Sequence, residues 1–274
     1  MDDIERFLDE DLNEAGDITT ESLFSDEKGE AKIFSKEDCI VAGIKEAKEV
    51  FKKTGATLKA KVNDGDFVEK NKTVAIIAGP IKSILIGERL ALNFISKMSG
   101  IATETKKLTD KCRKINPNVK IAATRKTTPG FRKYEKESVK LGGGDPHRYG
   151  LYDAILIKDN HLKKKTSISN TIKIIKEKTK NKIIEIEVEN EKDAIEAVKN
   201  NVDYIMLDNF SPKEGEKIAK KIRKINPRIK IEVSGGITPK NITEYASYPD
   251  RISLGYLTHS VKSIDFSLEI INFF

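Results

Sequence analysis

From about residue 118 onward the chain keeps returning to one pattern, a short apolar run followed by a helical stretch. The runs are VKIAAT (119–124), AILIK (154–158), IIEIEV (183–188), YIMLD (204–208), IKIEVS (229–234) and RISLG (251–255). Strand alternating with helix predicts βαβ units and a parallel sheet. The runs finish on Thr124-Arg125-Lys126, Lys158, Glu187 with Glu189, Asp208, Ser234-Gly235-Gly236 and Gly255. Each therefore presents a chemical group or a glycine turn at the same end. In a βα barrel the active site is assembled from the carboxyl ends of the strands, whereas a doubly wound sheet concentrates chemistry at one switch point. The pattern predicts the barrel.

The first hundred residues read differently. An acidic amphipathic helix built on Ile4, Phe7, Leu8 and Leu12 leads to a turn at Gly16-Asp17. Between about Ala31 and Pro80 the sequence is strand-like and turn-rich, with a helix predicted over Ile44 to Lys53 and a long one over Ile81 to Lys107. The acidic start is the opposite of a signal peptide, and no apolar run has membrane-spanning length. Cys39 and Cys112 lack metal-ligand spacing, so two structural thiols in a reducing cytoplasm are expected. The net charge of +7 comes mostly from lysines on predicted helix faces, such as those between Lys217 and Lys224. No nucleic-acid module accompanies it, and neither a nucleic-acid nor a membrane partner is expected.

Arginine is scarce, with nine in the chain, yet three lie between Thr124 and His161. Its planar fork matches carboxylate and phosphate as a lysine ammonium cannot. Arg125-Lys126, His147-Arg148 and Lys158 thus predict an anion pocket. Glu185, Glu187 and Glu189 alternate and share one face of a strand. With Asp208 they form a set of hard oxygen ligands that would either pair with the cationic cluster or bind Mg²⁺ shared with substrate phosphates. Ser234-Gly235-Gly236 and Gly255 follow the last two runs, where barrels bind phosphate on backbone N–H groups. Gly142-Gly143-Gly144 is either a phosphate cradle or a turn. His161 and His259 remain open between structural and binding roles, as does Glu88. The Asn-Pro pairs at 116–117 and 226–227 both read as helix ends before a strand.

Taken in order, EDLNEAGDITT, GERLALNFISKMSGIAT, TRKTTPGFRKYEKESVKLGGG, HRYGLYDAILIKDNH, EIEVEN, IMLDNF, SGGI and LGYLTHSV resemble the quinolinate phosphoribosyltransferases, the carboxylating nicotinate-nucleotide pyrophosphorylases. The resemblance implies an α/β fold, an N-terminal α/β sandwich domain (1–107) followed by an incomplete (β/α) TIM-like barrel (108–264), with 265–274 packing on the first domain. It implies that quinolinate and 5-phosphoribosyl-1-pyrophosphate become nicotinate mononucleotide, pyrophosphate and CO₂ in de novo NAD biosynthesis, with Mg²⁺. On this resemblance Thr124, Arg125, Lys126, His147, Arg148 and Lys158 would bind the dicarboxylate and pyrophosphate. Glu187 and Asp208 would hold the ribose hydroxyls and the metal, and Ser234, Gly235, Gly236 and Gly255 the 5-phosphate. Lys126, Lys158, Glu187 and Asp208 would be catalytic. Arg89 would reach the neighbouring site of a homodimer, alone or within a larger assembly.

Two positions depart from the commoner family pattern. Ala123 stands where many members carry Asp, and Asp145-Pro146 precedes His147 where bacterial members often show a residue followed by Asn. Neither removes a charged ligand. Rival readings are a pyrophosphorylase for another acid acceptor, a Schiff-base lyase using Lys158, and a carrier-type module over residues 56–80.

Overall fold

A computed structural model describes residues 2–163, 167–179 and 181–274. The chain divides into two compact units, one of residues 1–104, 140–142 and 261–274, the other of 105–139 and 143–260.

The first unit is built on six strands: β1 (Lys28–Ser35), β2 (Cys39–Ile40), β3 (Thr57–Ala60), β4 (Phe67–Val68), β5 (Thr73–Pro80) and, from the far end of the chain, β12 (Phe266–Phe273). An antiparallel sheet runs β12-β1-β5-β3, and β2 pairs with β4 apart from it. Along β1 every second residue is buried, including Ala31 and Ile33, as a strand with one covered face requires. Phe51, from the helix Ile44–Thr54, is fully buried. It explains Gly87, where a Cβ would come within 2.9 Å of its ring. The helix Ile81–Arg113 runs 33 residues, longer than predicted. Among the described residues no helix is long and apolar enough to cross a membrane. Cys39 and Cys112 are buried and free, and burial pushes both thiols up, Cys112 to about 11.

The second unit holds β6 (Lys120–Ala122), β7 (Ile155–Ile157), β8 (Ile184–Val188), β9 (Tyr204–Asp208), β10 (Lys230–Ser234) and β11 (Arg251–Ser253). All its strand pairs are parallel, in the order β6-β11-β10-β9-β8-β7. The first and last strands are therefore neighbours, and the sheet is open between β6 and β7. A single parallel bridge, Ala122 to Asp145, brings the segment before β7 up to β6 at this seam. Ile184, Ile186 and Val188 are buried on one face of β8, while Glu185 and Glu187 occupy the other. Burying each such aliphatic side chain contributes about 1.5–3 kcal/mol. The connecting helices start at sharp caps: Ser167, Asn190 and Ser211 each accept from a backbone N–H of the first turn, and Pro212 follows the last of them. The two Asn-Pro pairs are one architectural device. The amides of Asn116 and Asn226 close the preceding helices on Cys112 and Ile222, and their side chains accept from Asn118 and Arg228.

Candidate active site

Every strand of the second unit delivers its carboxyl end to one cavity of about 780 Å³. It collects Thr124, Arg125 and Lys126 after β6, His147 and Arg148 from the seam segment, and Lys158 after β7. Glu187 and Asp208 come from β8 and β9, Ser234 ends β10 with Gly235 and Gly236 after it, and Gly255 follows β11. Of the residues that the family resemblance assigns to substrate, Arg89 alone is absent from this cavity wall; it is exposed on the helix Ile81–Arg113.

Strand order sorts the cavity by chemistry. The glycine turns sit side by side on β10 and β11, the carboxylates on β9 and β8, and the cations around the seam between β7 and β6. Gly235 has φ +87°, and a Cβ there would fall 2.2 Å from Asn209 Oδ1. Only glycine fits so close an approach in that conformation. At Gly255 a Cβ would meet His259 Nε2 at 2.8 Å and Lys126 Cδ at 2.9 Å. Asp208 accepts from Asn209 Nδ2 at 2.7 Å, and Glu187 pairs with Lys158. Thr124 Oγ1 accepts from the Lys126 amide at 3.1 Å, and the Lys126 carbonyl accepts from Thr258 Oγ1 at 2.6 Å, so the turn that carries the two cations is held at both ends. Arg125 Nε is buried without a hydrogen-bond partner. A buried, unmatched donor in a cavity is poised for an incoming acceptor.

Beneath the cations lies a charged layer inside the barrel. His147 Nε2 is 3.3 Å from both Glu185 Oε2 and Glu232 Oε2, as a charge pairing off the hydrogen-bond line. Burial opposes a charged ring, but the two carboxylates outweigh it and hold His147 up to about 9. Burial and the neighbouring Glu232 push Glu185 up, whereas His147 and Arg251 overcome burial to hold Glu232 down. Among the described residues these three side chains are the group placed to hold a metal. Arg251 Nη1 already lies 3.0 Å from Glu232 Oε2, so the layer is an ion-pair network rather than a cation site.

Several expectations change here. Glu185 lies buried in this layer, and Glu189 is exposed past the end of β8, so of the three alternating carboxylates Glu187 alone lines the cavity. Gly142-Gly143-Gly144 does not line it. Gly144 is needed for close packing, since a Cβ would meet Thr105 at 2.6 Å and the Ile121 carbonyl at 2.8 Å. His161 Nδ1 accepts from the Lys158 amide at 2.9 Å and serves that turn. Arg132 binds Thr127 and the Tyr149 carbonyl outside the cavity. His259 does line it, four residues beyond Gly255 on one helical turn, a spacing that could have signalled its place. Lys136 was missed altogether. It is fully buried, bonded to the Pro146 carbonyl and 5.5 Å from the Tyr149 ring centroid, and burial with Arg132 nearby lowers it to about 8.

Two family models match the chain, the N-terminal domain of quinolinate phosphoribosyl transferase over residues 17–99 and its C-terminal domain over residues 101–269. The chain is 44% identical to a probable carboxylating nicotinate-nucleotide pyrophosphorylase of Methanocaldococcus jannaschii, covering 94% of this chain and 93% of that protein. A protein of the same description from Archaeoglobus fulgidus is 41% identical over 88% of this chain and 94% of its own length. Among solved structures, the nicotinate-nucleotide pyrophosphorylase of Francisella tularensis superposes with a TM-score of 0.92 at 35% identity, covering 98% of this chain and 94% of that one.

Proposed function

The chain belongs to the quinolinate phosphoribosyltransferase family, and on that premise we propose how its cavity divides two substrates. The enzyme is a carboxylating nicotinate-nucleotide pyrophosphorylase of NAD biosynthesis, a pentosyltransferase. It joins quinolinate to 5-phosphoribosyl-1-pyrophosphate and releases pyrophosphate and CO₂. The observation that carries our reading is the sorting of the cavity wall by strand order. Ser234, Gly235, Gly236 and Gly255 receive the 5-phosphate on backbone N–H groups. Glu187 and Asp208 face the ribose hydroxyls, one strand pair away. Arg125, Lys126, His147, Arg148 and Lys158 take the pyrophosphate and the two carboxylates of quinolinate, with Thr124 bracing their turn.

Glu187 and Asp208 also fit Mg²⁺. They are two carboxylates at the cavity wall, few for a dedicated cage but suited to an ion that takes its other oxygens from water and substrate phosphate. When bound there, Mg²⁺ supplies charge neutralisation on the donor's pyrophosphate.

In the reaction the bond from the anomeric carbon to pyrophosphate breaks with its electron pair on the leaving oxygen. Lys126, Lys158 and Arg125 hold that charge in fixed positions, as electrostatic preorganisation requires. The pyridine nitrogen lone pair closes the new C–N bond. The ring nitrogen is now cationic, and the adjacent 2-carboxylate leaves as CO₂, its bonding electrons remaining on ring carbon until a proton arrives. His147 and Arg148 orient the dicarboxylate throughout.

Arg89 we assign to the partner's cavity in a homodimer. Mixing Arg89→Ala with Arg125→Ala protein should restore activity that neither has alone, because a mixed dimer carries one intact site. Absence of any restoration after subunit exchange argues against a shared site. Buried free thiols suit a cytoplasmic enzyme. The assay that tests the whole reading supplies quinolinate or nicotinate with the sugar donor and Mg²⁺, and measures pyridine nucleotide and CO₂. Equal amounts of both products from quinolinate are expected. Preference for nicotinate without CO₂ would overturn it.

A further inference from the structure

The departure at Asp145-Pro146 has a counterpart 106 residues away. Arg251 starts β11 with its side chain inside the barrel, only 13% exposed. Its Nε and Nη2 bind Asp145 Oδ2 at 3.1 and 3.0 Å, and its Nη1 lies 3.0 Å from Glu232 Oε2. The guanidinium also stacks 4.4 Å from the centroid of the Tyr204 ring. A fork that engages two carboxylates on different elements fixes their separation, which a single ammonium cannot do.

Asp145 passes that restraint to the cavity. Its Oδ1 accepts the backbone N–H of His147 at 2.8 Å, and its main chain bonds to Ile121 and Ala123 of the β6 region. His147 sits at φ +54°, a left-handed conformation that costs a residue with a side chain about 1–2 kcal/mol and so needs holding. Lys136 bonds the Pro146 carbonyl and adds a second restraint on the turn. Arg251 itself is absent from the cavity wall. An apolar side chain would fill the same interior without the desolvation cost of a buried ion network.

We propose that Arg251 is a positioning residue for the acceptor, tying Asp145 to Glu232 and so setting the His147–Arg148 turn at the acceptor's carboxylates. This rests on the assignment of that turn to quinolinate. A turn displaced by an ångström loses acceptor binding, while the glycine turns on the far wall keep the sugar donor.

The test measures KM and kcat for both substrates in wild-type, Arg251→Met, Arg251→Lys and Arg148→Ala enzymes, with folding checked by circular dichroism. Arg251→Met should raise the quinolinate KM roughly 10- to 100-fold and leave the donor KM and kcat within about threefold. Arg251→Lys should fall between, keeping the charge without the fork. If Arg251→Met does not fold, the lysine variant carries the same comparison. Unchanged quinolinate KM in a folded variant, or equal rises for both substrates, would overturn the role. Arg148→Ala separates the two claims. If it leaves quinolinate KM unchanged, the assignment of the turn fails. If it raises that KM while the Arg251 variants do not, only the positioning role fails.

Discussion

The two ends of the cavity are built by opposite means. The wall after β10 and β11 is backbone, shaped by Gly235, Gly236 and Gly255, and it rests on local turns. The seam between β6 and β7 is side chain, with Arg125, Lys126, Arg148 and Lys158 above a buried layer of His147, Glu185, Glu232 and Arg251. Backbone donors need no partner to stay in place, since the turn itself fixes them. Side-chain cations repel one another and need counter-charges at fixed distances. The two ends should therefore fail differently when altered.

Removing a cation at the seam should have the largest effect. Arg125→Ala should lower kcat/KM for quinolinate by roughly 10²–10³-fold, the range for truncating one member of a buried charged contact. Near-normal turnover would erase the distinction between the ends. Gly235→Ala attacks the other end. A side chain at φ +87° against Asn209 costs about 1–3 kcal/mol, which we expect as a rise of around tenfold in the donor KM. Saturation kinetics with each substrate varied would show it, and an equal loss for quinolinate would contradict it. Asp208→Asn lies between the ends and should raise the Mg²⁺ concentration for half-maximal rate by about tenfold. A Mg²⁺ titration that superposes on wild type would take Asp208 out of the metal's reach.

The smallest effect concerns stability and pH. His147 is held up to about 9 in the fold against an ordinary 6.5, so its contribution is complete below pH 6.5 and fades as pH rises toward 9. Lys136 is lowered to about 8 from 10.5, so the fold gains stability as pH rises from about 8 to 10.5. The two oppose each other above pH 8. Glu185, also held up, adds to the fall below about pH 7, so denaturant titrations should show stability falling from below pH 6.5 to about 8. A flat profile over that range would remove the buried layer of His147 and Glu185 from the balance.

Legibility followed the same division. The strand ends could be read because a parallel strand is short, apolar and interrupted at its end by chemistry or glycine. Glu187 and Asp208 stood out as carboxylates within apolar runs. Glu189 misled because alternation extends along a sequence regardless of where the strand stops, and β8 ends at Val188. Lys136 carried no local signal, being one lysine among many. Arg251 looked like the polar start of a strand, and Glu232 was hidden in a run read for its apolar members.

The sequence by itself determined the βα alternation, the side of the sheet on which chemistry gathers, the glycine turns and the family. Each depends on residues within a few positions of one another. Only the tertiary structure decided that the sheet opens between β6 and β7, that Asp145 bridges to β6 there, and that Arg251 on the neighbouring strand faces it. Charges pair through space, and strand order alone makes residues 106 positions apart neighbours.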